Sequence, residues 1–192
     1  MTRRVPAGWW GIAFVVLLFI SAAMASLPTA ADSDAKITAF YRDHGAIVIT
    51  QQVIGAIALA PFTAFALSLR SGRWLRPAVF LFVAAELVTN IVPPVILESP
   101  KAARPLTVVE DLADGALFVA TAIFVIVATL EEPLWLRVIA YLIAAVCAIR
   151  AVASPLGVTA LDQVAPLAFV VFVLVLSVRL LVGRGAPIMT RT

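Results

Sequence analysis

The stretch Val109-Glu110-Asp111-Leu112-Ala113-Asp114-Gly115 sets three carboxylates at the start of an otherwise apolar run that continues to Leu130. A carboxylate in hydrocarbon costs about 2.5 to 3.5 kcal/mol on insertion scales, so acids placed there mark candidate functional positions. Glu110 and Asp114 are one helical turn apart, and Phe118 and Thr121 continue the same face. Such a face can hold a cation, accept hydrogen bonds from a ligand, or pair with a base inside the protein. Glu110 and Asp111 also fit a second reading, because the macrodipole favours acids in the first turn of a helix at the membrane interface. Asp114 lies a full turn deeper. Elsewhere Glu86 and Asn90 stand at i and i+4, ahead of Pro93-Pro94, while Gln51-Gln52, Arg150 and Asp162-Gln163 interrupt other apolar runs. Arg150 either snorkels to the interface or pairs with Asp114 or Asp162.

The elements that must position these residues belong to a membrane. Of 192 residues 63% are apolar and 13% charged, with a mean hydropathy of +1.09, which excludes an ordinary water-soluble domain. The expected fold is all-α, a single bundle of six transmembrane helices over residues 9–27, 46–69, 75–97, 108–130, 134–153 and 159–182. Between the first two, Asp32 to Gly45 carries Ile37, Phe40 and Tyr41 at helical spacing, with Ser33 as cap and Gly45 as stop. It predicts a short amphipathic helix on the outer surface, ended by His44 as a loop-end side chain or, alternatively, a proton-handling or ligand-contacting one. Pro93-Pro94 should end or unwind the third span and free backbone carbonyls. Ala23-Met24-Ala25 after the basic start also fits a signal-peptide cleavage site, although the helix count favours a retained span.

Arginines order the bundle. Arg3, Arg4, Arg70, Arg73, Arg76, Arg137, Arg179, Arg184 and Arg191 fall on one side and Lys36, Arg42, Lys101 and Arg104 on the other, which places both termini in the cytoplasm of a bacterial plasma membrane. The same distribution accounts for the net charge of +3 without nucleic acid. At about 1.5 Å per residue, Gln51, Asn90, Asp114, Arg150 and Asp162 all lie roughly two thirds or more of the way across, with Glu86 near the midplane. The cytoplasmic halves are nearly pure aliphatic and Phe. An outward cavity over an apolar plug follows, and its excess of acids suits a cation or a hydrogen-bonding lipid or metabolite. The candidate ligand-binding residues are therefore Gln51, Gln52, Glu86, Asn90, Glu110, Asp111, Asp114, Arg150, Asp162 and Gln163. One histidine and one cysteine do not supply the ligand set of a haem or zinc centre, so no metal or cofactor is expected. The small-residue stripes Ala56/Ala60/Ala64 and Ala140/Ala144/Ala148 predict close approach of a helix, from this chain, a second copy or a partner protein.

Known catalytic motifs find little purchase. Asp111-x-x-Asp114-Gly115 resembles the opening of the aspartate motif of CDP-alcohol phosphotransferases, but Phe118-Val119 stands where that motif has Ala-Arg and its later Gly and two Asp are missing. A prenyltransferase-like reading lacks its second acidic motif. No Gly-x-Ser-x-Gly, His-Glu-x-x-His or P-loop is present, so the chain offers no recognisable enzyme arrangement. The N-terminal span, the segment Ile37-Thr38-Ala39-Phe40-Tyr41-Arg42-Asp43-His44 leading into Gln51-Gln52, Pro93-Pro94, and the acidic start of the fourth span together resemble a family of bacterial, often actinobacterial, integral membrane proteins of unknown function. The resemblance implies six helices and no particular activity. The expected function is binding of a small molecule or lipid in the outward cavity, as a receptor or carrier. The alternative is an accessory subunit whose polar layer fixes helix register.

Overall fold

The computed structural model describes residues 7–154 and 160–182. Six α-helices run in order: α1 (Ala7–Ala22), α2 (Asp34–Ala66), α3 (Leu75–Glu98), α4 (Ala103–Ala128), α5 (Leu134–Ala153) and α6 (Val164–Val182), with a 3-10 turn at Pro100–Ala102. The five from α2 to α6 are long and apolar enough to cross a membrane, α4 counted together with the 3-10 turn, whereas α1 has 16 residues. Each helix packs on its chain neighbour, and α1 closes the ring by lying between α2 and α6. The α5–α6 face is the thinnest of these contacts. The Arg3-Arg4 pair, the expected start of the sixth span at 159, and Arg184, Arg191 and the tail from 185 lie outside the described residues.

A cluster of phenylalanines fills the centre. Phe14 of α1, Phe62 of α2, Phe82 of α3, Phe124 of α4 and Phe169 of α6 stack on one another, with ring centroids from 4.2 to 6.4 Å apart. This is the apolar plug that the pure Val, Leu, Ile, Phe and Ala composition demanded. Gly11 lets α1 reach it, since a Cβ there would overlap the Ser177 hydroxyl and the Phe65 ring.

Two expected helix breaks do not occur. Gly45 does not stop a surface helix; the helix capped by Ser33 continues through it into the second span as the 33-residue α2. Gly inside a helix costs only about 1 kcal/mol, while the first turns bury Ile37, Tyr41 and Val48 against Val92, Ile96 and Ala103 of α3 and α4. His44 is consequently mid-helix and exposed, its ring stacked 4.8 Å from Phe40. At about 1.5 Å per residue, α2 is roughly 50 Å long and exceeds a hydrocarbon core of about 30 Å. Likewise Pro93-Pro94 leave α3 helical to Glu98, because Val92, Pro93 and Ile96 are buried and packing holds the segment in place. The prolines still lack N–H groups, so the Thr89 and Asn90 carbonyls lose their usual donors four residues on.

Two smaller expectations also shift. The fourth helix begins at Ala103 rather than 108, which sets Glu110 and Asp111 beyond its first turn and removes the macrodipole account of them. Of the small-residue stripes, Ala140 and Ala144 are buried as expected and Ala148 is exposed; Ala56 and Ala60 are exposed and Ala64 half-buried, because α2 turns Gly55, Ala58, Leu59 and Phe62 inward instead.

Phe62→Ala should lower stability by about 2 kcal/mol from the cavity it leaves, read as a lower melting temperature in detergent. Phe80→Ala, at a side chain 75% exposed, should change it by less than about 0.5 kcal/mol.

Candidate functional site

At the end of the bundle away from Arg70, Arg73 and Arg76, the polar side chains of five helices, Ser21 of the first among them, converge on one cavity of about 410 Å³. The third helix contributes Glu86, Thr89 and Asn90, the fourth Glu110, Asp111 and Asp114, the second Gln51 and Gln52, and the fifth Arg150. Helical spacing explains the convergence, since 86/90 and 110/114 each repeat after one turn and face the axis.

Each carboxylate has its own partner. Asn90 Nδ2 donates to Glu86 Oε1 at 3.1 Å and to the Glu86 backbone carbonyl at 2.7 Å. Gly55 of α2 makes room for this amide, as a Cβ there would collide with Asn90 Oδ1. The Tyr41 hydroxyl donates to Glu110 Oε2 at 3.2 Å, linking the overhanging first turns of α2 to α4. Asp111 Oδ2 accepts the Ala30 N–H at 2.8 Å. Arg150 Nη1 donates to Asp114 Oδ2 at 2.6 Å, and its Nε lies 3.3 Å from Asp162 Oδ1. The guanidinium also sits 3.8 Å over the Phe118 ring, which favours a cation on its face.

The connection from α1 to α2 runs across the cavity mouth as a strap. Ala25, Leu27, Pro28 and Thr29 form part of the wall. Gln51 Nε2 donates to the Ala25 carbonyl at 3.2 Å and Ser21 Oγ to the Gln51 carbonyl at 3.0 Å. Beyond it, Lys36, together with the Thr29 N–H, holds the Asp32 carboxyl below the usual carboxylate range.

Gln51, Gln52, Glu86, Asn90, Glu110, Asp111, Asp114 and Arg150 thus all line this one cavity. Asp162 reaches it only through Arg150, and Gln163 is exposed in the turn before α6. The alternatives for Arg150 resolve in favour of pairing: it is buried and touches both aspartates, so it does not snorkel. Ser21, Thr89, Tyr41 and the strap were missed. Only Tyr41 left a sequence signal, a tyrosine on the apolar stripe of the amphipathic segment with a hydroxyl to satisfy.

Fold and site together define a helical membrane-bundle protein with an acid-rich cavity at one end. No protein family, curated protein or solved structure matches the chain. The chemistry of the cavity is therefore the ground for its function.

Arg150→Ala and Asp114→Asn should each destabilise the fold, and their double-mutant cycle should return a coupling of about 1 to 3 kcal/mol. Denaturation in detergent measures it. Gly55→Val should push Asn90 off Glu86 and lower the melting temperature more than Ala56→Val, since Ala56 is exposed.

Proposed function

We propose that this protein binds a small molecule or lipid in the polar cavity, as a receptor or carrier in a bacterial plasma membrane. The observation that supports this reading is the cavity itself: about 410 Å³ of space walled by Glu86, Glu110, Asp111 and Asp114 against the single base Arg150. A layer serving only helix register would close on its own polar groups; this one surrounds a space. Its electrostatics select a cationic or hydrogen-donating ligand over an anion. The cavity faces outward and both termini lie in the cytoplasm, because Arg70, Arg73, Arg76, Arg137 and Arg179 gather at the opposite end. In this arrangement α1 crosses the bilayer as a sixth span, thinning or snorkelling making up for its length. The phenylalanine plug speaks against a simple channel, since no polar path continues below Glu86 among the described residues.

One observation favours a second reading, an accessory subunit of a larger complex. Ala56 and Ala60 form an exposed small-residue face on α2 that suits close approach of a foreign helix or a second copy.

Native mass spectrometry of gently extracted protein separates the two. A small molecule retained by wild type and lost from both Glu110→Gln and Asp114→Asn is the expected result. A second polypeptide retained by wild type and both variants, with no small molecule, overturns the binding reading and supports the subunit.

A further inference from the structure

A second, smaller cavity of about 90 Å³ lies directly against the polar one, among Phe14, Phe82, Thr121, Pro166 and Phe169. Leu18, Glu86, Leu117 and Phe118 belong to the walls of both, so the Glu86 carboxylate stands at the junction of an acid-rich chamber and an aromatic one. We infer that the ligand is an amphiphilic amine, its ammonium at Glu86 and its apolar group, a short alkyl chain or single ring, among the phenylalanines. This rests on reading the polar cavity as a binding site.

The donors and acceptors around the junction are unbalanced in the direction an ammonium would correct. Arg150 is committed to Asp114 and Asp162 and does not offset Glu86 or Glu110. Among the described residues the Glu86 carboxylate receives only the Asn90 amide. Gln52, 8% exposed, lines the chamber, and beside it Gln51 Oε1 is buried with no hydrogen-bond partner among the described residues. An ammonium supplies several donors and a charge at once. Aromatic faces beside it add cation–π attraction. An inorganic cation would leave the aromatic chamber unfilled, and a neutral apolar molecule would leave Glu86 without a counter-charge.

The test is calorimetric titration of the purified protein in nanodiscs with phenethylammonium, ethylammonium and 2-phenylethanol. Wild type should bind phenethylammonium about tenfold or more tightly than either of the others, as a charged hydrogen bond and an apolar contact are each worth that much. Glu86→Gln should remove this advantage over 2-phenylethanol. Thr121→Leu, which narrows the aromatic chamber, should weaken phenethylammonium and leave ethylammonium unchanged. The wild-type comparison decides the matter even where a variant fails to fold. Equal binding of the two amines overturns the aromatic half of the inference. Failure of both amines, in a protein that retains a small molecule in native mass spectrometry, overturns the amine class while the cavity reading stands; failure of both measurements removes both.

Discussion

Arg150 carries a charge that hydrocarbon cannot solvate, and α5 delivers it into the protein rather than to the interface. There it meets Asp114 of α4 and Asp162 just ahead of α6. Removing one member of such a cluster leaves uncompensated buried charge, which is far costlier than the net worth of the pair. The packing makes the cluster more important still, because α5 and α6 touch one another least of all the adjacent helices. At the opposite end Arg179 of α6 lies 2.9 Å from Glu132, in the turn between α4 and α5, and over the Trp135 ring. Arginine–carboxylate pairs therefore tie α6 to the α4–α5 side of the bundle at both ends, while its apolar face packs on α1.

The same cluster shapes the cavity. By drawing Asp114 toward α5, Arg150 leaves Glu86, Glu110 and the glutamines facing the space between the helices. Below them the phenylalanine rings surround the smaller aromatic chamber and close the bundle beneath it, and Glu86 marks the boundary between the two regimes. Above them the strap and the overhanging turns of α2 roof the chamber through the Ala30–Asp111, Ala25–Gln51 and Tyr41–Glu110 hydrogen bonds. Ionisable groups within membrane-spanning helices are rare and face the bundle interior or a cavity, as these do.

Much of this was legible in the letters. Hydropathy located the long apolar helices, with α5 matching its expected bounds of 134–153, and the i, i+4 spacing of Glu86/Asn90 and Glu110/Asp114 put those groups on inward faces. What misled were local breakers. Gly45 and Pro93-Pro94 carry penalties of about 1 to 3 kcal/mol each, and buried neighbours such as Ile37, Tyr41, Val92 and Ile96 outweighed them. The stripe Ala56/Ala60/Ala64 misled for a related reason: small residues permit close approach, but Phe62 and Gly55 decided which way α2 turned.

By itself, then, the sequence determined the all-helical membrane class, the rough position of the long apolar helices, and the gathering of polar residues toward one end, because hydropathy and helical period are properties of the chain alone. Only the tertiary structure decided that Arg150 bridges two acids, that the strap covers the mouth, and that Glu86 joins an acidic chamber to an aromatic one. Those facts depend on distances between residues far apart in the chain, and the periodicity of any single helix carries no information about its neighbours.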